Sequence, residues 1–171
     1  LVDGMTVTQT LSAPAEQMTG LELLAGTYAR ANSGVLHIAL TNEAGAVVLA
    51  QDADVAAFED GKYTSIPFAA PLGTRRGETL TLTLTTTGCV PGNAVTLYCG
   101  NTVTAGRFDI VQTIADADRC TVNGEMGIGK LCVKVRGVRT LTFYRDYWFI
   151  IAGAFAVAAI FCARWWKQAK R

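Results

Sequence analysis

Between positions 5 and 138 the chain alternates hydrophobic and polar residues with a period of two. Residues 79–85 read TLTLTLT, so Leu80, Leu82 and Leu84 fall on one side of an extended backbone and the threonines on the other, the pattern of a half-buried strand. Residues 35–40 repeat it, with Leu36, Ile38 and Leu40 opposite Val35, His37 and Ala39. The same reading predicts strands at 5–11, 21–28, 47–51, 63–68, 95–99, 108–113 and 131–138, about nine in all. Turn chemistry separates them: Asn32-Ser33-Gly34, Asn42-Glu43-Ala44-Gly45, Glu59-Asp60-Gly61, Pro91-Gly92-Asn93 and Asn123-Gly124. A helical turn is expected only at 55–58. Many short strands at regular spacing predict an all-β fold, an antiparallel β-sandwich or jelly roll.

The pattern changes at the C-terminal end. Residues 147–163 read YWFIIAGAFAVAAIFCA, 17 positions without a charge. At about 1.5 Å per residue they extend about 25 Å as a helix, and interfacial neighbours complete a bilayer core of about 30 Å. Tyr144, Tyr147 and Trp148 at one end, and Trp165 and Trp166 at the other, supply aromatic belts. This predicts one transmembrane helix over 144–166. Arg164, Lys167, Lys170 and Arg171, with no acid among them, point the tail at 167–171 to the cytoplasm and make residues 1–143 an extracytoplasmic domain. No charged n-region followed by an apolar stretch opens the chain at Leu1, so export is expected to depend on a cleaved leader or on an earlier helix of a longer protein.

Composition agrees with a membrane location. Of 171 residues, 50% are hydrophobic and only 17% charged, and the mean hydropathy is +0.28. Fifteen basic against 14 acidic residues leave a net charge of +1, which offers no field for gripping a polyanion and argues against nucleic acid as a partner.

Of the five cysteines, Cys162 lies inside the apolar run, which leaves Cys89, Cys99, Cys120 and Cys132 in the exported domain, an even number where disulfides persist. Three pairings are possible. Short loops favour Cys89 with Cys99, around Pro91-Gly92-Asn93, and Cys120 with Cys132, around Gly124. Zinc fits poorly, because CxxC spacing is absent and His37 is the only histidine.

Catalytic signals are weak, and no enzyme activity or cofactor is expected. Residues 124–130, GEMGIGK, have the glycine and lysine spacing of a phosphate-binding loop, but Leu131 stands where Ser or Thr would hold magnesium, and a strand follows instead of a helix. A glycine-rich hairpin explains the motif. His37 falls on the polar side of its strand and reads as solvated. Asp52, Asp54, Glu59 and Asp60 cluster around one strand connection and could offer oxygen ligands to calcium, without EF-hand spacing. Binding is the remaining chemistry: Tyr28, Arg30, Asn32, Tyr63 and Tyr98 sit at turns and strand ends and are types that stack on sugar rings or bond hydroxyls.

Three segments carry a resemblance: Gln9-Thr10-Leu11 leading to Leu21-Glu22-Leu23; Gly26-Thr27-Tyr28-Ala29-Arg30-Ala31-Asn32-Ser33-Gly34; and Asp60-Gly61-Lys62-Tyr63 leading to Ile66-Pro67-Phe68. Over about residues 5–100 the chain resembles the β-sandwich ectodomains set between membrane helices in bacterial polysaccharide-assembly membrane proteins and glycosyltransferases. More distantly it resembles jelly-roll carbohydrate-binding modules. The resemblance implies a bacterial cell-envelope domain that holds or senses glycan beside a membrane enzyme, and it carries over no catalytic residue. The expectation is a single-pass membrane protein that binds glycan or supports polysaccharide assembly. Its alternative is a structural or assembly subunit of a membrane complex, without glycan binding.

Overall fold

In the computed structural model, which describes residues 1–100, 103–105, 108–110, 119–127 and 129–138 together with Phe155 and Val157, each of the nine alternating segments contains a strand. The first six are long: β1 (Val7–Ser12), β2 (Gln17–Gly26), β3 (Val35–Asn42), β4 (Val47–Asp54), β5 (Lys62–Gly73) and β6 (Thr79–Thr87). Most later strands have only two or three residues: β7 (Thr96–Leu97), β8 (Cys99–Gly100), β9 (Val103–Ala105), β10 (Phe108–Ile110), β11 (Thr121–Val122), β12 (Glu125–Met126) and β13 (Lys130–Leu131). β14 (Val133–Val138) is longer. The expected helical turn is a 3-10 turn at Val55–Ala57, capped where Asp54 accepts a hydrogen bond from the Ala56 amide. β9, β11 and β12 were not anticipated, since two or three residues cannot display a period.

Leu1–Val138 forms one compact unit and Arg139–Arg171 a second. The span expected at 144–166 and the basic tail at 167–171 lie outside the described residues, apart from Phe155 and Val157, each in helical conformation. No helix among the described residues is long and apolar enough to cross a membrane.

Among the described residues, all strand pairs in the first unit are antiparallel. One sheet has the order β12-β11-β1-β6-β3-β4; a second has β14-β2-β5, with β7 also pairing with β2. The inner faces share one core. Val7, Leu11, Leu36, Ile38, Leu40, Leu80, Leu82 and Leu84 from the first sheet meet Met18, Leu21, Leu23, Ala25, Ile66 and Phe68 from the second. This is an all-β sandwich. The leucines of the TLTLTLT strand are fully buried, as the period required.

Two inner strand positions are polar, Gln9 of β1 and Thr86 of β6. Gln9 stands between Val7 and Leu11 on β1, pairs with Leu82, and is buried. Its Oε1 accepts a hydrogen bond from the Leu131 amide at 3.0 Å, and its Nε2 donates to the Thr10 carbonyl at 3.0 Å. A buried amide group is tolerable only when its polar atoms are bonded, and here the bond ties β1 to β13.

Candidate functional site

The outer face of the second sheet carries an aromatic row. Leu24 of β2 points away from the core, between the buried Leu23 and Ala25. On one side its register partner is Tyr63 of β5. On the other side β14 gives way to β7, and Tyr98 donates its amide to the Leu24 carbonyl at 3.1 Å while Leu24 donates to the Cys132 carbonyl at 3.0 Å. Tyr63 of β5, Leu24 of β2 and Tyr98, between β7 and β8, thus line up side by side along the backbone hydrogen bonds, a backbone width of about 10 Å from the usual interstrand spacing. Both tyrosines are exposed, at 39% and 38%. Tyr98 leans over Gly26, whose missing side chain makes room for its ring and hydroxyl.

Charge surrounds the row. Lys134 of β14 reaches across to place its ammonium 3.6 Å from the Tyr63 ring centroid. Glu22, on the same face of β2, forms ion pairs with Arg136 and Lys134. Burial, with lesser contributions from Cys132 and Glu22, pushes the Tyr63 hydroxyl above its ordinary range, so it stays protonated and able to donate. A groove of about 410 Å³ adjoins Tyr63 and Lys134, lined also by Ser12, Pro14, Lys130 and Cys132.

Tyr28 and Arg30 sit on the loop that continues β2. Tyr28 and Ala29 both adopt left-handed backbone, with φ of 55° and 54°. That conformation costs about 1–2 kcal/mol for a residue with a Cβ. Asp60 holds it in place: one carboxylate oxygen accepts from the Thr27 and Tyr28 amides, each at 2.6 Å, and from the Thr27 hydroxyl at 3.3 Å. The Tyr28 and Thr27 amides hold the Asp60 carboxyl below the usual aspartate range. Tyr28 is thereby presented at 60% exposure, with the Arg30 guanidinium 5.4 Å from its ring centroid. Asn32 is 5% exposed, and its side-chain oxygen and nitrogen have no protein hydrogen-bond partner among the described residues.

The other expected groups are engaged elsewhere. His37 is half-buried rather than freely solvated: Nδ1 lies 2.7 Å from Asp52 on the paired strand, and Nε2 lies 2.8 Å from the Thr87 hydroxyl. The neighbouring Gly88 and Cys89 amides both donate to Asp3, at 2.8 and 2.9 Å, so the two donors beside Thr87 already hold an anion. The four carboxylates considered for calcium do not converge. Asp52 bonds His37, Asp54 caps the 3-10 turn, Glu59 pairs with Lys62, and Asp60 holds the Tyr28 loop. Among the described residues no group of three His, Cys, Asp or Glu side chains could hold a metal ion. The glycine-rich motif is in part the two-residue hairpin turn of β11 and β12, with Asn123 at φ 52° and Gly124 at 82°.

The cysteines depart from the pairing favoured by loop length. Cys89, Cys99, Cys120 and Cys132 are thiols, and the two sulfurs in contact are those of Cys99 and Cys120, 3.4 Å apart. Cys89 lies instead against the Ser33 carbonyl at 3.7 Å. Proximity in sequence is overridden because β8 and the hairpin at 121–126 converge from different sheets. Burial, with the neighbouring Cys120, pushes the Cys99 thiol up to about 12.

A scan against protein-family models and a search of the curated proteins returned no match to this chain.

Proposed function

We propose that this chain is an envelope protein anchored by the apolar segment at 144–166, with an extracytoplasmic jelly-roll-like sandwich that binds glycan or supports polysaccharide assembly and a cytoplasmic C-terminus. The observation that carries the glycan reading is the Tyr63, Leu24 and Tyr98 row. Two exposed tyrosines on either side of Leu24, on one sheet face, suit the apolar faces of sugar rings, while Lys134, Arg136 and Glu22 supply polar groups for hydroxyls. In this reading a sugar stacking on Tyr63 displaces the Lys134 ammonium from the ring to a hydroxyl or acidic group. Tyr28 and Arg30, on the loop held by Asp60, extend the same end of the sheet and supply a second, rigid contact.

The test is binding of the detergent-purified full chain to an array of bacterial glycans. Saturable binding to one sugar class is expected, weakened about tenfold by Tyr63→Ala or Tyr98→Ala with no change in circular dichroism. A folded chain that binds no glycan would leave the alternative, a structural subunit of a membrane assembly.

A further inference from the structure

The two sulfurs that meet come from different sheets. Cys99 opens β8, one residue beyond β7, and β8 pairs with β13 as a separate two-stranded sheet; Cys120 immediately precedes β11, which pairs with β1 of the first sheet. Their separation of 3.4 Å exceeds a disulfide bond of about 2.05 Å by about 1.4 Å, within reach of small side-chain rotations. The surroundings hold Cys120 in this position. Its amide donates to the Gly129 carbonyl at 2.9 Å, and its carbonyl accepts from the Gly127 amide at 2.8 Å. A Cβ on residue 127 would stand 2.9 Å from the Cys120 sulfur, so glycine there lets the hairpin close over the thiol. An apolar cleft of about 170 Å³, lined by both cysteines with Leu1, Met5, Leu97 and Val122, opens beside the pair.

We infer that Cys99 and Cys120 are joined by a disulfide in the exported chain, formed by exchange with a disulfide oxidant such as a thiol–disulfide oxidoreductase or oxidised glutathione. The Cys120 sulfur, on losing its proton, attacks one sulfur of the oxidant, whose other sulfur leaves and takes up a proton. The Cys99 sulfur then loses its proton as it displaces the oxidant from Cys120. One S–S bond breaks and one forms; the oxidant is reduced to two thiols that carry both protons. The product ties β8 to the β11–β12 hairpin of the first sheet and closes the stretch at 100–119 into a loop. Cys89, against Ser33, and Cys132, lining the outer groove beside Tyr63 and Lys134, remain thiols. The inference shares an oxidising compartment with the proposed function and does not depend on glycan binding.

The test is peptide mapping of the full chain directed to the bacterial periplasm, its free thiols trapped with an alkylating agent under denaturing conditions. A peptide containing Cys99 linked to one containing Cys120, with Cys89 and Cys132 alkylated, is the expected result. Reduction should lower Tm by about 5–10 °C. Cys99→Ala and Cys120→Ala should each expose the other thiol to alkylation, and Gly127→Ala should reduce the linked fraction. Alkylation of both Cys99 and Cys120 after export and further incubation with oxidised glutathione would overturn the inference. So would either cysteine linked to Cys89 or Cys132. These readouts on the unsubstituted chain stand even if a variant fails to fold.

Discussion

Tyr98 lies across Gly26 so closely that a Cβ at position 26 would stand 2.9 Å from its hydroxyl oxygen and 3.2 Å from its ring. The ring's place on the outer face therefore depends on the absence of a side chain two residues along from Leu24. Gly26→Ala should push Tyr98 off the row and destabilise the fold by about 1–3 kcal/mol, as overpacking does. Denaturant unfolding measures the loss, and tyrosine fluorescence quenching should report a more accessible Tyr98.

The Tyr28 loop stores backbone strain that can be relieved. Ala29 at φ 54° has no conformational need for its Cβ. Ala29→Gly should stabilise the native loop by up to about 1 kcal/mol, less the added entropy of the unfolded chain, leaving a net effect near zero. A loss of more than about 2 kcal/mol in chemical denaturation would mean that the Ala29 side chain makes a contact worth more than the strain.

Acid should loosen the same loop. Asp60 is held below the usual aspartate range by the Tyr28 and Thr27 amides, and Asp3 by the Cys89 and Gly88 amides. Carboxyls that titrate lower when folded contribute stability that is complete above the ordinary aspartate value and is lost as pH falls through the folded one. Tm should therefore fall on acidification from about pH 5 to about pH 2, and the Asp60→Asn, Asp3→Asn double variant should flatten that slope. An unchanged slope would assign the acid sensitivity to other carboxyls.

Gln9→Leu should cost about 1–3 kcal/mol, because it strands the Leu131 amide in the core. Hydrogen exchange should quicken first at Leu131. Leu82→Ala, by contrast, should cost about 2–5 kcal/mol through a cavity between the sheets, with no local signature at β13.

The sandwich itself was legible in the residues. Period-two alternation at 35–40 and 79–85 forces one side of each strand inward wherever a second apolar face is available, and the turn residues set the strand breaks. Tyr63 and Tyr98 were legible as candidates by type alone. Their alignment through Leu24 was not, because it depends on which strands pair and on the point where β14 gives way to β7. Asn32 and Gln9 show the same limit from the other direction: both are polar, yet both are buried, since tertiary packing rather than residue type decides what faces water. Cysteine number followed from the chain, while the meeting of Cys99 and Cys120 came from the convergence of two sheets. Local alternation acts between neighbours and can be read in a line; contacts between distant segments exist only once loops of arbitrary length have closed, and no local pattern encodes that closure.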